Sequence, residues 1–299
     1  MTLLLTVNSN ALRRDLKSSL LLQARLARHQ LRRMRASQRY SSGSLEATPV
    51  LFANSFPKSG THLLTQVLKG FTKIGPAVDS GLPAVVTFEG DTGRQRSTGE
   101  IVGDLERLLP GDIGYGHVHA LPEAVKILCR QGVAAYFILR DPRDVVVSHV
   151  HYLTDMKADH IHHRYYQDEL QNFDQRLQAS IEGVAGMLPN IRERFEPYMG
   201  WLGHPEVLVL RFEDLILDRQ KIIGRVFDHA VRRGFNAARD REAAIQILAE
   251  NIDPARSPTF RRGKVGGWRD SFTQRHKQLF KQVTSDLLIR LGYERGNDW

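Results

Sequence analysis

The chain has 299 residues, 41% of them hydrophobic, which is enough to bury a full core, and a formal net charge of +9. That charge would suit nucleic acid if it were spread over the domain, but residues 1–40 hold most of it (Arg13, Arg14, Lys17, Arg25, Arg28, Arg32, Arg33, Arg35 and Arg39 against Asp15 alone), so no nucleic-acid partner is expected of the nearly neutral body. A lone cysteine, Cys129, rules out an internal disulfide and points to a reducing, cytoplasmic compartment, and the apolar run Leu3 to Val7 is much too short to span a bilayer.

Residues 1–45 read as a basic amphipathic extension ahead of a domain at 46–299. Within it Leu12, Leu16, Leu20, Ala24, Ala27, Leu31 and Met34 recur at helical spacing with arginines between them, and Ser9 or Asn10 suits a cap. Ser41-Ser42-Gly43-Ser44 reads as a flexible joint. Four readings of the extension stand open: a peripheral helix on an anionic membrane surface, an organelle-targeting segment, a nucleic-acid arm, and a helix packed on its own domain or on another chain, as in a homodimer.

Val50 to Leu64, VLFANSFPKSGTHLL, is the stretch around which the domain is organised. An apolar run gives way to Pro57-Lys58-Ser59-Gly60, and Leu63, Leu64, Val67 and Leu68 then follow at helical spacing: a strand, a tight loop and a helix. Backbone N–H groups at a helix N-terminus beside a lysine hold phosphate or sulfate, so Lys58, Ser59, Gly60, Thr61 and His62 form a candidate anion cradle. The nucleotide-hydrolase form of such a loop is absent, because Lys58 precedes Gly60 and no glycine opens it.

Phe71 to Pro110 is rich in Gly and Pro, contains a short strand-like run at Ala84 to Phe88, and reads as a surface insertion over the site. Ile113 to Val118 reads as a strand ending in Gly116-His117-Val118-His119, and a helix follows from Pro122 to Arg130. Val133 to Leu139 is a continuous apolar run, the mark of a strand covered on both faces. It runs into Arg140-Asp141-Pro142-Arg143-Asp144 and a helix in which Asp141 caps and Pro142 opens the first turn, so Arg140 and Ser148 can face one pocket and offer a cationic fork and a hydroxyl to a phosphate. His160, His162 and His163 lack carboxylates or cysteines at ligand spacing and read as a polar loop rather than a metal site. A long helix is expected from Phe173 to Tyr198, a strand from Val207 to Phe212, and helices at Gln220 to Arg233 and Arg241 to Asn251. In Phe260-Arg261-Arg262-Gly263-Lys264-Val265-Gly266-Gly267-Trp268, basic residues beside glycines make a candidate anion clamp.

Three of these stretches, in order, resemble the sulfotransferases that use 3′-phosphoadenosine 5′-phosphosulfate. Phe56 to Leu63 resembles the phosphosulfate loop Y-P-K-S-G-T-T-W, with His62 in place of a threonine and Leu63 in place of the tryptophan that packs on adenine. Leu139 to Ser148 resembles L-R-N-P-K-D-V-x-V-S, which implies that Arg140 and Ser148 bind the 3′-phosphate. Phe260 to Trp268 resembles R-K-G-x-x-G-x-W, which implies that Arg261, Arg262 and Gly263 close over the same phosphate. Val207 to Asp214 resembles the strand ending in Y-E-D and puts Phe212 near adenine without the hydroxyl. The motif K-T-H-L-P aligns better on His117 than on His119, with Tyr115 where the family has lysine; the resemblance thus implies His117 as general base and His119 as runner-up.

The expected fold is α/β and three-layered, a central and mainly parallel sheet with helices on both faces and a P-loop-like phosphosulfate loop after the first strand. Its ligand belongs at the carboxyl ends of the strands. The expected activity is transfer of a sulfuryl group from 3′-phosphoadenosine 5′-phosphosulfate as co-substrate, with no metal required, to a hydroxyl or amine of a small-molecule or lipid-like acceptor, Lys58 stabilising the leaving oxygen. A nucleotide-dependent kinase or hydrolase and a non-catalytic anion-binding protein are the alternatives. Residues 71–112 and 155–175 carry no legible code for the acceptor.

Overall fold

The computed structural model describes residues 9–253, 255 and 263–299, with side chains from residue 19 onward. Arg261 and Arg262 lie outside the described residues.

The chain enters through α1 (Ser9–Tyr40) and α2 (Ser42–Glu46), then runs β1 (Val50–Ser55), α3 (Thr61–Gly70), β2 (Val78–Asp79), β3 (Val85–Val86), α4 (Thr98–Glu106), β4 (Asp112–His117), α5 (Pro122–Leu128), β5 (Val133–Leu139) and α6 (Pro142–His151). It continues through α7 (Phe173–Glu182), α8 (Ile191–Phe195), β6 (Val207–Arg211), α9 (Phe212–Leu217), α10 (Arg219–Arg232), α11 (Arg241–Glu250), α12 (Gln274–Thr284) and α13 (Leu287–Arg290). Among the described residues the sheet has six strands in the order β2-β4-β1-β5-β6, with β3 also on β4, and every pairing is parallel.

The period of two explains why the central strands are apolar throughout. Val50 and Phe52 of β1 join Val133, Ala135, Phe137 and Leu139 of β5 in one core, while Leu51 and Ala53 join Ala134, Tyr136 and Ile138 in the core on the opposite face. Helices cover both faces, as expected for the three layers. Register then aligns the strand ends: Ser55 pairs with Ile138, Leu139 with Arg211, and Asn54 with Gly116. One step further along each strand lie Phe56, Arg140, Phe212 and His117.

Four local expectations are corrected. The helix expected from Phe173 to Tyr198 stops at Glu182, because Gly183 turns into the left-handed region at φ 81° and a Cβ there would meet the Leu188 carbonyl at 2.4 Å; Asn190 then caps a new helix. Residues 71–110 are no surface insertion: they supply β2, β3 and α4 and bury Phe71, Ile74, Val78, Val85, Ile101 and Leu105. The expected joint at Ser41–Ser44 is mostly helical, with Ser41 capping α2 and Leu45 buried. Phe212 begins a helix instead of ending the strand.

The C-terminal half of α1 is fixed to the domain. His29 Nε2 lies 2.9 Å and Arg33 Nη1 2.8 Å from Oδ1 of Asp112, a fully buried carboxylate whose other oxygen accepts from Leu109 N. No helix among the described residues is long and apolar enough to cross a membrane.

Candidate active site

The loop between β1 and α3 holds two residues in the left-handed region. At Gly60, with φ 97°, a Cβ would come within 2.6 Å of the Phe212 ring, so both conformation and contact demand glycine. Lys58 is there too, at φ 68°, a strained conformation for a side-chain-bearing residue. The resulting bend carries its ammonium over the Tyr152 ring, 3.9 Å from the centroid. Burial, with the positive Arg140 nearby, lowers the Lys58 pKa to about 7.

β4 delivers His117 to this loop. Its Nδ1 lies 3.1 Å from the Ser55 carbonyl oxygen and 3.0 Å from Ser55 Oγ, and that hydroxyl is 2.7 Å from Thr61 Oγ1. A carbonyl only accepts, so Nδ1 carries the proton and the lone pair is left on Nε2. Burial lowers the His117 pKa to about 4, with smaller contributions from His62 and Lys58, and the imidazole is neutral at pH 7. His62 is itself held below its ordinary value by burial and by Lys58 and Lys69. The strand ends at His117, and the His119 ring packs edge-on, 4.7 Å between centroids, to Tyr198, whose hydroxyl donates to the His117 carbonyl at 3.4 Å.

Arg140, just past β5, lies over the Phe212 ring at 4.5 Å and donates from Nη2 to the Lys264 carbonyl at 2.8 Å. Asp144, one helical turn on, accepts from Gly266 N at 2.9 Å and Trp268 N at 2.8 Å. The start of α6 thereby holds the root of the loop containing Gly263 beside Arg140. Ser148 sits half-buried further along α6. Phe212 is buried as the floor beneath Gly60 and Arg140, and Leu63 packs against the core under α3.

Two polar atoms of this cluster, Ser59 Oγ and Arg140 Nε, are buried with no partner among the described residues. Groups of this kind are costly to leave unpaired; Ser59 lies in the loop ahead of α3, and Arg140 is near enough to Lys58 in the same loop to help lower its pKa. A phosphosulfate nucleotide fits this donor set: Lys58, Ser59 and the α3 N-terminus for the sulfate end, Arg140 and Ser148 for a further phosphate. Among the described residues, three metal-type donors come together only at Cys129, His204 and Glu206, ahead of β5 and β6 at the opposite, amino ends of the strands.

Several supporting residues escaped the sequence reading. Asn54 bridges the strand ends, its Nδ2 donating to Val118 O at 3.0 Å and its Oδ1 accepting from Val118 N at 2.8 Å, and Trp201 Nε1 donates to the same carbonyl at 2.8 Å. A buried Asn in an apolar strand was the available signal. Asp144, one helical turn from Arg140, was the other. Nothing marked Tyr152 as the ring beneath Lys58.

Among curated protein sequences no match was found. The chain matches the fold of solved structures: retinol dehydratase in complex with androsterone and the inactive cofactor PAP (TM-score 0.54, 18% identity, 82% of this chain and 83% of that one) and mouse sulfotransferase SULT7A1 complexed with PAP (0.55, 19%, 88% and 92%). A family profile described as the sulfotransferase domain matches residues 136–292, more than half of the chain. With the loop ahead of α3, the strand-end histidine and the Arg140 helix assembled at the carboxyl ends of the central strands, this match identifies the chain as a member of the sulfotransferase domain family.

Proposed function

We propose that the protein transfers a sulfuryl group from 3′-phosphoadenosine 5′-phosphosulfate to the hydroxyl or amine of a small-molecule or lipid-like acceptor, with His117 as general base. The observation that carries this reading is the convergence of Lys58, His117 and Arg140 at the carboxyl ends of β1, β4 and β5, with Ser55 at the end of β1 hydrogen-bonded to His117. Donor use is supported by relatives of the same fold that hold PAP, and a small-molecule acceptor by relatives that hold androsterone or retinol.

His117 is neutral, and its proton on Nδ1 is held by Ser55, so Nε2 is the atom that accepts the acceptor's proton. Lys58 and the amides opening α3 stabilise negative charge on the departing bridging oxygen. Arg140 and Ser148 grip the 3′-phosphate, and the family resemblance assigns Arg261, Arg262 and Gly263 to the same phosphate. The donor, once bound, supplies an activated sulfuryl group, and no metal is required. The acceptor approaches beside Tyr152, where residues 88–93 meet the His160 loop: Ile161 N donates to Gly90 O at 2.8 Å, and His160 packs edge-on to Tyr152.

Calorimetry comparing 3′-phosphoadenosine 5′-phosphate with ATP and magnesium tests the nucleotide, and a screen of acceptors with labelled donor tests transfer. Tighter binding of ATP with magnesium would overturn the proposal.

A further inference from the structure

The described part of α1 presents four distinct surfaces. One, through Leu26, His29 and Arg33, is held against the domain. Facing away from it, Leu20, Ala24, Ala27, Leu31 and Met34 recur every three or four residues as a solvent-facing apolar stripe, with Leu20 70%, Leu31 54% and Met34 60% exposed. Between stripe and domain, Arg25, Arg28, Arg32 and Arg35 occupy one flank, while Gln23 and Gln30 lie on the other.

The arginine flank opens on a pocket of about 260 Å³ between α1 and the domain, rimmed by Arg25, Arg28, Arg32 and Lys69. Arg32 is fixed in it, donating to the Asp79 carbonyl at 2.9 Å with its guanidinium against Gly81. The pocket's one acid, Asp79, is paired with Lys69 at 3.0 Å. Arg25 and Arg28 have no ion pair or hydrogen bond among the described residues. Four cations against one acid suit a phosphate.

We propose that α1 docks the protein on an anionic phospholipid surface, lying in the interface with the Leu20–Met34 stripe among the acyl chains, the arginine flank on the headgroups and one lipid phosphate in the pocket. An exposed apolar stripe bordered by arginines is the arrangement that binds such a surface from the side, because apolar burial and attraction to anionic lipid act on adjacent faces of one helix. Nucleic acid would engage the arginines but leave the stripe in water. A second copy of α1 meeting this one on the stripe would offer the arginines no acidic partner, since residues 19–40 contain no Asp or Glu.

The test is cosedimentation of the full chain with vesicles of phosphatidylcholine alone and with about 30% phosphatidylserine. Pelleting is expected on the anionic vesicles only, weakening as salt rises. Arg25→Ala with Arg28→Ala should lower partitioning roughly 25-fold. Leu31→Ser with Met34→Ser should lower it at least about tenfold. All four positions are exposed, so thermal melts and turnover of a soluble acceptor should stay unchanged, which separates this result from the fate of the sulfotransfer reading. The proposal is overturned by equal pelleting on neutral vesicles, by pelleting that survives both double variants, or by no pelleting on the anionic ones. A dimer in light scattering that dissociates in Leu31→Ser/Met34→Ser without lipid binding would assign the stripe to a second copy instead.

Discussion

A lysine with a pKa of about 7 is half-charged at neutral pH in the free protein, and an arriving phosphate or sulfate group should restore its proton. Nucleotide binding is therefore coupled to proton uptake. The sign follows from the shift: the free-state pKa lies below the bound-state value, so affinity is full below pH 7 and falls as pH rises, about tenfold per unit, until the bound lysine itself titrates. Between pH 6 and pH 9 the loss amounts to roughly 100-fold, or about 2.7 kcal/mol. Calorimetry of 3′-phosphoadenosine 5′-phosphate binding in two buffers of different ionisation enthalpy counts the protons directly. At about pH 8.5, where the phosphates of the ligand are already fully ionised, uptake should approach one proton. His117 and His62, with pKa values held below the ordinary histidine value, stay silent there. Lys58→Arg should flatten the pH dependence because a guanidinium keeps its charge, and Lys58→Met should abolish the uptake together with most of the affinity. No uptake by the unmodified protein, or the same uptake in Lys58→Met, would refute the reasoning.

Replacing His117 with Ala should lower kcat by about two to four orders of magnitude with nucleotide affinity intact; a near-normal rate there and a collapse in His119→Ala would move the base two residues along. Arg140→Ala should erase discrimination between nucleotides with and without the 3′-phosphate, at a cost of about 2–5 kcal/mol in binding, measured by calorimetry. Asp144→Ala should weaken nucleotide binding while kcat at saturation holds, because it frees the Gly266–Trp268 backbone without touching the nucleotide itself. Deleting residues 1–40 strips His29 and Arg33 from the buried carboxylate of Asp112, so the truncated chain should lose about 3 kcal/mol of stability in urea titration; an unchanged midpoint would show those contacts to be idle.

Much of this molecule can be read from local pattern. The apolar runs of β1 and β5 announce strands covered on both faces, and Pro57-Lys58-Ser59-Gly60 followed by a helical period announces a tight loop opening a helix, because both signals are set by residues adjacent in the chain. Asp141 and Pro142 likewise mark the start of α6 by capping chemistry alone. Tertiary structure decided what depends on partners distant in sequence. Two histidines two residues apart look equivalent along the chain; only the pairing of β1 with β4 ties His117 to Ser55, while His119 packs on Tyr198 from a separate segment. Residues 71–110 look like a loop because their strands are two residues long and exist only as additions to β4. The low pKa of Lys58 needs burial in the folded chain and Arg140 at its side, and the role of Asp144 needs a loop more than a hundred residues away, since burial and long-range hydrogen bonds are created by packing and leave no mark on the local sequence.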